Sequence, residues 1–334
     1  MRGARLLGTG AALAVLLAGP AASLAQAPRV RLPVTYISPS PATAPLWVAQ
    51  DAGLLAKHGL DVSLIFVDGS VKSIQTLLAG DVPVAGSVGT ANVNARLAGA
   101  DVVMFAATMD FLPYFLIGAP EIRGPAELRG KIGANHNPGT SADFAIRVGL
   151  ARLGLHPDRD VTLRNIGGTN LRLAALQRGL VHFLVVTQGE RVAAERMGFR
   201  LISDLAALKI PFPMTGYTAT ERYVRSRPEV IRGFTRAITE AIHYFKQHRE
   251  TSIAILARRS HLKDRAALEE TYRWYQQHLP EAPYPPVEGF RVILQELART
   301  RPELAAMDPQ KFADTSFVKG LEDSGFIRAL SRRP

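Results

Sequence analysis

Glycine, serine and threonine cluster at six points of the chain, where their chemistry is that of ligand contact. The six points are Ser38 to Thr43, Gly69-Ser70, Gly89-Thr90, Gly139-Thr140-Ser141, Gly168-Thr169 and Thr187-Gln188-Gly189. Each point lies where a strand pattern gives way to a helical one, so backbone N–H groups without a helical partner are expected there. Helix N-termini favour anions, and pairs of N–H groups hold an oxyanion without a basic side chain. Serine and threonine are also common helix caps, so the six points together favour a binding site more than any one alone.

The sequence offers no evident machinery for catalysis. The chain has eight histidines, at positions 58, 136, 156, 182, 243, 248, 261 and 278, and none shows the spacing H-E-x-x-H. There is no G-x-S-x-G elbow, no P-loop and no G-x-G-x-x-G motif. His136 is the one histidine beside one of the six points. No catalytic residue, metal ligand or cofactor is therefore predicted.

The elements that would position the six points are indicated by an internal repeat. Residues 61–82 and 160–181 align without a gap at an offset of 99, and seven of 22 positions are identical. Each copy predicts a buried strand, a Gly-Ser/Thr turn, a helix and the start of a second strand, which is a βαβ unit. The offset is too long for a solenoid, so the repeat predicts two related α/β domains.

Composition and length agree with two domains in an exported protein. Residues 1–27 carry Arg2 and Arg5, a short apolar run and an A-x-A site, which predicts a signal peptide cleaved after Ala27. The 307 residues that follow exceed what one core usually accommodates. Cysteine is absent, which excludes disulfides, thiol catalysis, cysteine metal sites and a lipidated anchor. An exported, unanchored chain of this kind suggests the periplasm.

The basic charge of the chain is diffuse. The net charge is +11, or +9 without the two leader arginines, and the excess is interleaved with acidic residues. Because no compact basic run contains aromatic residues, no nucleic-acid partner is expected.

A series of motifs resembles one family. After the predicted signal peptide, five motifs are similar to those of the periplasmic substrate-binding proteins of nitrate/sulfonate/taurine ABC transporters. They are APLWVAQDAGLLAKHGLDVSLIFVDGS, LLAGDVPVAGSVG, the RG-K at Arg129 to Lys131, PGTSADF and IGGTNLRLAALQRGLV. This group also includes relatives of the fungal thiamine-pyrimidine synthase. The resemblance covers Val34 to Tyr223. The synthase relatives use a cysteine cluster that this chain lacks, so synthase activity is not expected.

The resemblance implies an α/β type II periplasmic binding protein fold, with two doubly wound sheets, a ligand cleft between two lobes and two hinge crossovers. The lobe boundaries predicted are 28–117 plus 217–334 for the first lobe and 118–216 for the second. The hinges are expected near Phe115 to Gly118 and Met214 to Tyr217. The protein is expected to act as a monomer that passes a small-molecule ligand to a permease and meets the membrane only through that permease.

The ligand-binding residues are predicted by position. They are Ser38, Ser40, Gly69, Ser70, Gly89, Thr90, Tyr114, Asn137, Gly139, Thr140, Ser141, Gly168, Thr169, Thr187, Gln188 and Tyr217. Aromatic walls are expected from Trp47, Phe111, Tyr114 and Tyr217. No arginine falls within the six points, so a neutral or weakly charged organic solute is as plausible as an oxyanion.

Two other functions stay open at this stage. One is a secreted enzyme of pyrimidine or related metabolism, with His136 or Glu190 as its base. The other is a sensor domain that delivers its ligand to a membrane receptor instead of a permease.

Overall fold

The computed structural model describes residues 28–260 and 262–332. The predicted signal peptide and its cleavage site lie outside these residues. Within them, no helix is long and apolar enough to cross a membrane.

The first sheet has five strands in the order β2-β1-β3-β10-β4. Its strands are β1 (Val30–Tyr36), β2 (Leu60–Phe66), β3 (Val84–Ser87), β4 (Val102–Phe111) and β10 (Pro211–Thr220). The strands β1, β2 and β3 run parallel, and β10 runs antiparallel to β3 and β4. The carboxyl ends of the parallel strands therefore meet at one edge, which is where ligands lie in sheets of this kind.

The second sheet repeats this plan in the order β7-β6-β8-β5-β9. Its strands are β5 (Phe115–Gly118), β6 (Ile132–Asn135), β7 (Thr162–Asn165), β8 (Phe183–Val186) and β9 (Arg200–Asp204). Here β6 runs parallel to β7 and β8, whereas β5 runs antiparallel to β8 and β9. The two copies of the repeat form β2-α3-β3 and β7-α6-β8, so the predicted pair of α/β units is confirmed.

Helices cover both sheets. Those between the strands are α1 (Ala44–Asp51), α2 (Leu54–Lys57), α3 (Ser70–Ala79), α4 (Gly89–Leu97), α5 (Ser141–Arg152), α6 (Thr169–Gln177) and α7 (Gln188–Arg196). The C-terminal helices are α8 (Glu221–Ser226), α9 (Pro228–Gln247), α10 (Arg249–Arg259), α11 (Arg265–His278), α12 (Val287–Leu297), α13 (Ser316–Asp323) and α14 (Phe326–Ser331). The apolar stripe of α9 packs against the first sheet, where the Phe234 ring lies 5.9 Å from that of Phe105.

The chain passes between the sheets at residues 112–114 and 205–210, and the two crossovers pair with each other. The N–H of Leu112 donates to the carbonyl of Ile210 at 3.0 Å, and the N–H of Ala206 donates to that of Tyr114 at 2.9 Å. We define lobe 1 as residues 28–111, 211–260 and 262–332, and lobe 2 as residues 115–204.

The predicted boundaries after residues 117 and 216 therefore fall inside β5 and β10, and the predicted hinge segments lie within strands. At the second boundary, two prolines lie where the difference arises. Pro211 and Pro213 are part of β10, whose pairing with β4 has register shifts at this end. Bulged pairing tolerates residues that lack an N–H donor.

Candidate functional site

The loops at the carboxyl ends of the two sheets face each other across a cleft. The carboxylate of Asp68, in lobe 1, lies close enough to His136, in lobe 2, to affect its titration. Burial and the Arg172 guanidinium lower the pKa of His136, and the charges of Asp68 and Asp143 oppose them. The structure thus brings together two loops, which we call the jaws. The jaw of lobe 1 is at Gly69-Ser70, and the jaw of lobe 2 is at Gly168-Thr169, next to Arg172.

A buried arginine lies beneath the jaw of lobe 2. The side chain of Arg172 belongs to the first turn of α6, and the residue is only 2% exposed. Its Nε donates to the Gly167 carbonyl at 3.1 Å, and one terminal nitrogen donates to the Val185 carbonyl at 2.7 Å. The other terminal nitrogen donates to Thr169 Oγ1 at 2.8 Å. Three of its five N–H groups are therefore engaged, and one on each terminal nitrogen is left over.

The charge of Arg172 has no ion-pair partner among the residues that the structure describes, since all three acceptors are neutral groups. Burial lowers the pKa of Arg172, while Glu190 and Tyr114 act to raise it. A guanidinium nevertheless stays protonated in proteins. The first N–H groups of α6, at Thr169 to Leu171, precede the intrahelical hydrogen bonds and add the positive end of the helix dipole. This half of the cleft is therefore suited to an anion.

The sequence prediction missed Arg172 because it lies one turn beyond Gly168-Thr169, at a helical position. The internal repeat nevertheless gives an indication of where the Arg172 side chain lies. At the offset of 99, Arg172 is equivalent to Ser73, which is fully buried and whose hydroxyl donates to the Gly86 carbonyl at 2.7 Å. Gly86 is in turn equivalent to Val185. An arginine at a position whose counterpart is buried indicates a buried charge.

The residues around Arg172 make hydrogen bonds within the protein. The Tyr114 hydroxyl lies 2.8 Å from Ser141 Oγ, and burial raises the pKa of Tyr114 to about 12, so the phenol is neutral. Glu190 Oε2 accepts hydrogen bonds from the N–H and hydroxyl of Thr187, at 2.8 and 3.0 Å. The bond from the Thr187 N–H is one half of a capping box at the start of α7.

The loop before α5 satisfies most of its own polar groups. The Thr140 hydroxyl donates to the Asn137 carbonyl at 2.8 Å and accepts from the Asp143 N–H at 3.3 Å, so Thr140 caps α5. Gly139 has a φ of +81° and donates its N–H to Asp143 Oδ2 at 2.9 Å. Asn137 is exposed. Thr140 thus has the structural role that threonine often has before a helix.

The predicted residues of lobe 1 differ in the contacts that they make. Ser70 Oγ accepts from the Val88 N–H at 3.2 Å, which ties two cleft loops together. Thr90 Oγ1 is buried and has no partner within the described part of the chain. A Cβ on Gly89 would lie 2.6 Å from Pro213 Cγ, so this glycine is required by packing. Ser38 and Ser40 are half-buried.

Three of the four residues predicted as aromatic walls pack against other side chains inside the protein. Tyr217 lies in β10 within the core of lobe 1, with its ring 4.9 Å from that of Phe234. Trp47 is equally buried, in α1. Phe111 packs against Trp274 of α11 at 6.2 Å. The structure therefore places the ring of Tyr217 in the core of lobe 1.

Helix α11 makes contacts with α7 that the sequence analysis did not predict. Gln188 Nε2, at the start of α7, donates to Glu270 Oε1 of α11 at 3.2 Å, and Arg191 pairs with the same oxygen at 2.5 Å. Since α7 belongs to lobe 2 and α11 to lobe 1, these bonds join the two lobes. We call the three residues Gln188, Arg191 and Glu270 the latch.

The two residues considered as catalytic bases have ordinary hydrogen-bonding roles. His136 Nδ1 accepts from the N–H of Asn137 at 2.7 Å, and Glu190 belongs to the capping box. Among residues 28–260 and 262–332, no group of three or more histidine, cysteine or acidic side chains could hold a metal ion.

Comparison with known proteins gives one family. The sequence model of the family described as NMT1/THI5 like matches residues 40–252. YtlA of Bacillus subtilis (strain 168), which carries the provisional name of a binding protein, is 24% identical over 211 residues, or 61% of this chain. The chain spans 63% of the length of YtlA.

Solved structures share the fold at low sequence identity. The alkanesulfonate-binding protein SsuA from Xanthomonas axonopodis pv. citri, bound to MOPS, has a TM-score of 0.71 and 20% identity, covering 86% of this chain and 99% of SsuA. The periplasmic nitrate-binding protein NrtA from Synechocystis PCC 6803 has a TM-score of 0.73 and 15% identity, covering 89% of each chain. The fold is therefore that of periplasmic binding proteins.

Proposed function

Because this chain belongs to the NMT1/THI5 like family, we propose that it is the periplasmic solute-binding component of an ABC importer and that its solute carries an anionic group. The solute binds between the two lobes and passes to the permease chemically unchanged. The observation that supports an anionic solute is Arg172, a buried guanidinium at the lobe 2 jaw whose hydrogen-bond acceptors are all neutral.

The two jaws bind different parts of the solute. In lobe 2, the two remaining N–H groups of Arg172 and the N-terminus of α6 bind the anionic group. Charge-assisted hydrogen bonds of this kind are stronger than neutral ones, and water-excluded sites strengthen them further. In lobe 1, Ser73 at the equivalent position adds no charge, so that side of the cleft holds the uncharged part of the solute. The proteins with the same fold that are named for sulfonate and nitrate binding are consistent with this division.

The test is calorimetric titration of the unsubstituted protein and of Arg172→Met with methanesulfonate, nitrate, benzoate and an uncharged aminopyrimidine. A hydrogen bond to a charged group contributes about 1.5–3 kcal/mol, so we expect Arg172→Met to weaken binding of the preferred anion about 10- to 100-fold. Arg178→Met is the matched control, because Arg178 is exposed at the other end of α6.

Besides a failure to bind any of the three anions, two results would contradict the proposal. One is equal affinity of the unsubstituted protein and Arg172→Met for the preferred anion. The other is a preference for the aminopyrimidine over all three anions. Recovery of a chemically altered solute after long incubation would favour the enzymatic alternative.

A further inference from the structure

Helix α11 is held against the first crossover by aromatic packing. The indole of Trp274 lies 6.2 Å from the Phe111 ring and 6.1 Å from the Phe115 ring, on either side of the crossover at residues 112–114. It also stacks on His278 at 4.2 Å, one turn further along the helix. The next residue, Tyr275, packs edge-on against this indole at 4.9 Å. The aromatic contacts thus fix the position of Tyr275.

The Tyr275 hydroxyl makes no hydrogen bond to any residue that the structure describes, and its oxygen is not fully enclosed although the residue is only 1% exposed. The neighbouring phenols behave differently. The Tyr272 hydroxyl, three residues earlier on α11, donates to the Lys246 carbonyl at 3.1 Å, and the Tyr114 hydroxyl contacts Ser141. Since Tyr and Trp usually find a polar partner when buried, the unpaired phenol of Tyr275 requires an explanation.

The surroundings of this hydroxyl belong to the cleft. Burial raises the pKa of Tyr275 far above its ordinary value, and the nearby Glu190 and Tyr114 raise it further. Glu190 lies in the first turn of α7, and Tyr114 in the first crossover. Both residues also interact electrostatically with Arg172. A phenol in this setting stays neutral and can donate one hydrogen bond.

We propose that Tyr275 is a ligand-binding residue, whose hydroxyl donates a hydrogen bond to the anionic group attracted by Arg172. Helix α11 then forms a third wall of the cleft, beside the two jaws. The inference rests on the proposed function, since it requires an anion in the cleft. The inference also narrows the chemical class of the solute. The group bound there must accept bonds from the phenol and from both free N–H groups of Arg172, as sulfonate, nitrate and carboxylate oxygens do.

Tyr275→Phe tests the inference, with Tyr272→Phe as the matched control on the same helix. Each variant is titrated calorimetrically with methanesulfonate, nitrate and benzoate, and its thermal unfolding is measured without any probe. We expect Tyr275→Phe to weaken binding of the preferred anion by about tenfold or more. Its Tm without a probe should be unchanged, because the hydroxyl has no hydrogen bond to lose among the described residues. Tyr272→Phe should bind as the unsubstituted protein does.

The outcomes separate this inference from the proposed function. If Tyr275→Phe binds within twofold of the unsubstituted protein while Arg172→Met loses affinity, the role of Tyr275 is refuted and the anion site stands. If Tyr275→Phe lowers the Tm without a probe and Tyr272→Phe loses affinity equally, the phenol is structural and the inference fails. If the unsubstituted protein binds none of the three anions, both the proposed function and the inference are refuted.

Discussion

Arg172 and Ser73 occupy equivalent positions in the two repeat copies, yet they give the two jaws different charges. Both side chains bond to the carbonyl at the end of the following strand, that of Val185 or that of Gly86. One substitution in a duplicated unit is therefore enough to make a symmetric cleft electrostatically asymmetric. Because Arg172 also uses Thr169 as an acceptor, the jaw threonine supports the charge that would bind the solute.

The two threonines of lobe 2 are expected to respond differently to substitution. Thr169→Val removes an acceptor of the Arg172 guanidinium and should weaken binding of the preferred anion about fivefold, as expected for one hydrogen bond of about 1 kcal/mol. Thr140→Val removes the cap of α5 and should cost about 1 kcal/mol of unfolding free energy. Titration and thermal unfolding of both variants check this. A loss of affinity confined to Thr140→Val would assign the roles the other way round.

The residue types at the six points predicted that each point lies between a strand and a helix, but they did not predict the role of each side chain. The same hydroxyl can cap a helix, as that of Thr140 does, or support a buried charge, as that of Thr169 does. Composition does not distinguish the two, because the difference depends on which side chain lies below the loop. Tyr217 was misplaced for a related reason. In a strand whose two faces are both covered, a lone tyrosine gives no indication of the face to which it points.

At the scale of elements, α7 and α11 link the lobes through the latch. Arg191 of α7 pairs with Glu195 on its own helix at 2.8 Å and with Glu270 of α11 at 2.5 Å, and its guanidinium lies 5.1 Å from the Phe115 ring. The latch holds Gln188, at the N-terminus of α7, against α11. It therefore sets the distance between one cleft loop and the helix that carries Tyr275.

Glu270→Gln should weaken the latch without disturbing the fold. The Glu270 side chain is 40% exposed, so solvent screening limits the loss to about 0.5–1 kcal/mol and the loss of affinity for the preferred anion to about two- to fivefold. Glu269→Gln is the matched control, since Glu269 pairs with Arg265 and Arg249 on the lobe 1 side. Titration and hydrogen exchange at α7 measure the effect. Equal affinity and equal exchange in the two variants would show that the latch has no part in binding.

The order of elements was predictable from sequence, whereas the links between them were not. The repeat and its glycine turns predicted the two βαβ units, which the structure has as β2-α3-β3 and β7-α6-β8. The first crossover was predicted a few residues too late because Phe111 to Ile117 is one apolar run, whose division between two sheets depends on long-range pairing. The latch joins residues about 80 positions apart and depends on how α11 packs.

At the scale of the whole molecule, the hinge is a pair of crossovers that hydrogen-bond to each other. The bonds from Leu112 to Ile210 and from Ala206 to Tyr114 make the two connections move together. Lys209, in the second crossover, has a φ of +46°, which is uncommon for a residue other than glycine. Hinge closure absorbs backbone rotation at a few such residues. The lobes are therefore expected to rotate as rigid units about residues 112–114 and 205–210.

Closure predicts that the protein becomes more compact when an anion binds. A ligand shifts an equilibrium between open and closed lobes only through its different affinity for the two states, and only the closed state lets Arg172 in lobe 2 and Tyr275 in lobe 1 contact the same group. Solution scattering should thus show a smaller radius of gyration with the preferred anion, and a smaller change for Arg172→Met at the same anion concentration. Free Glu270→Gln should be more expanded than the free unsubstituted protein, because the bonds of the latch that join the two lobes are weakened. Identical scattering from all of these samples would show that the lobes do not move, and binding would then have to occur in a preformed cleft.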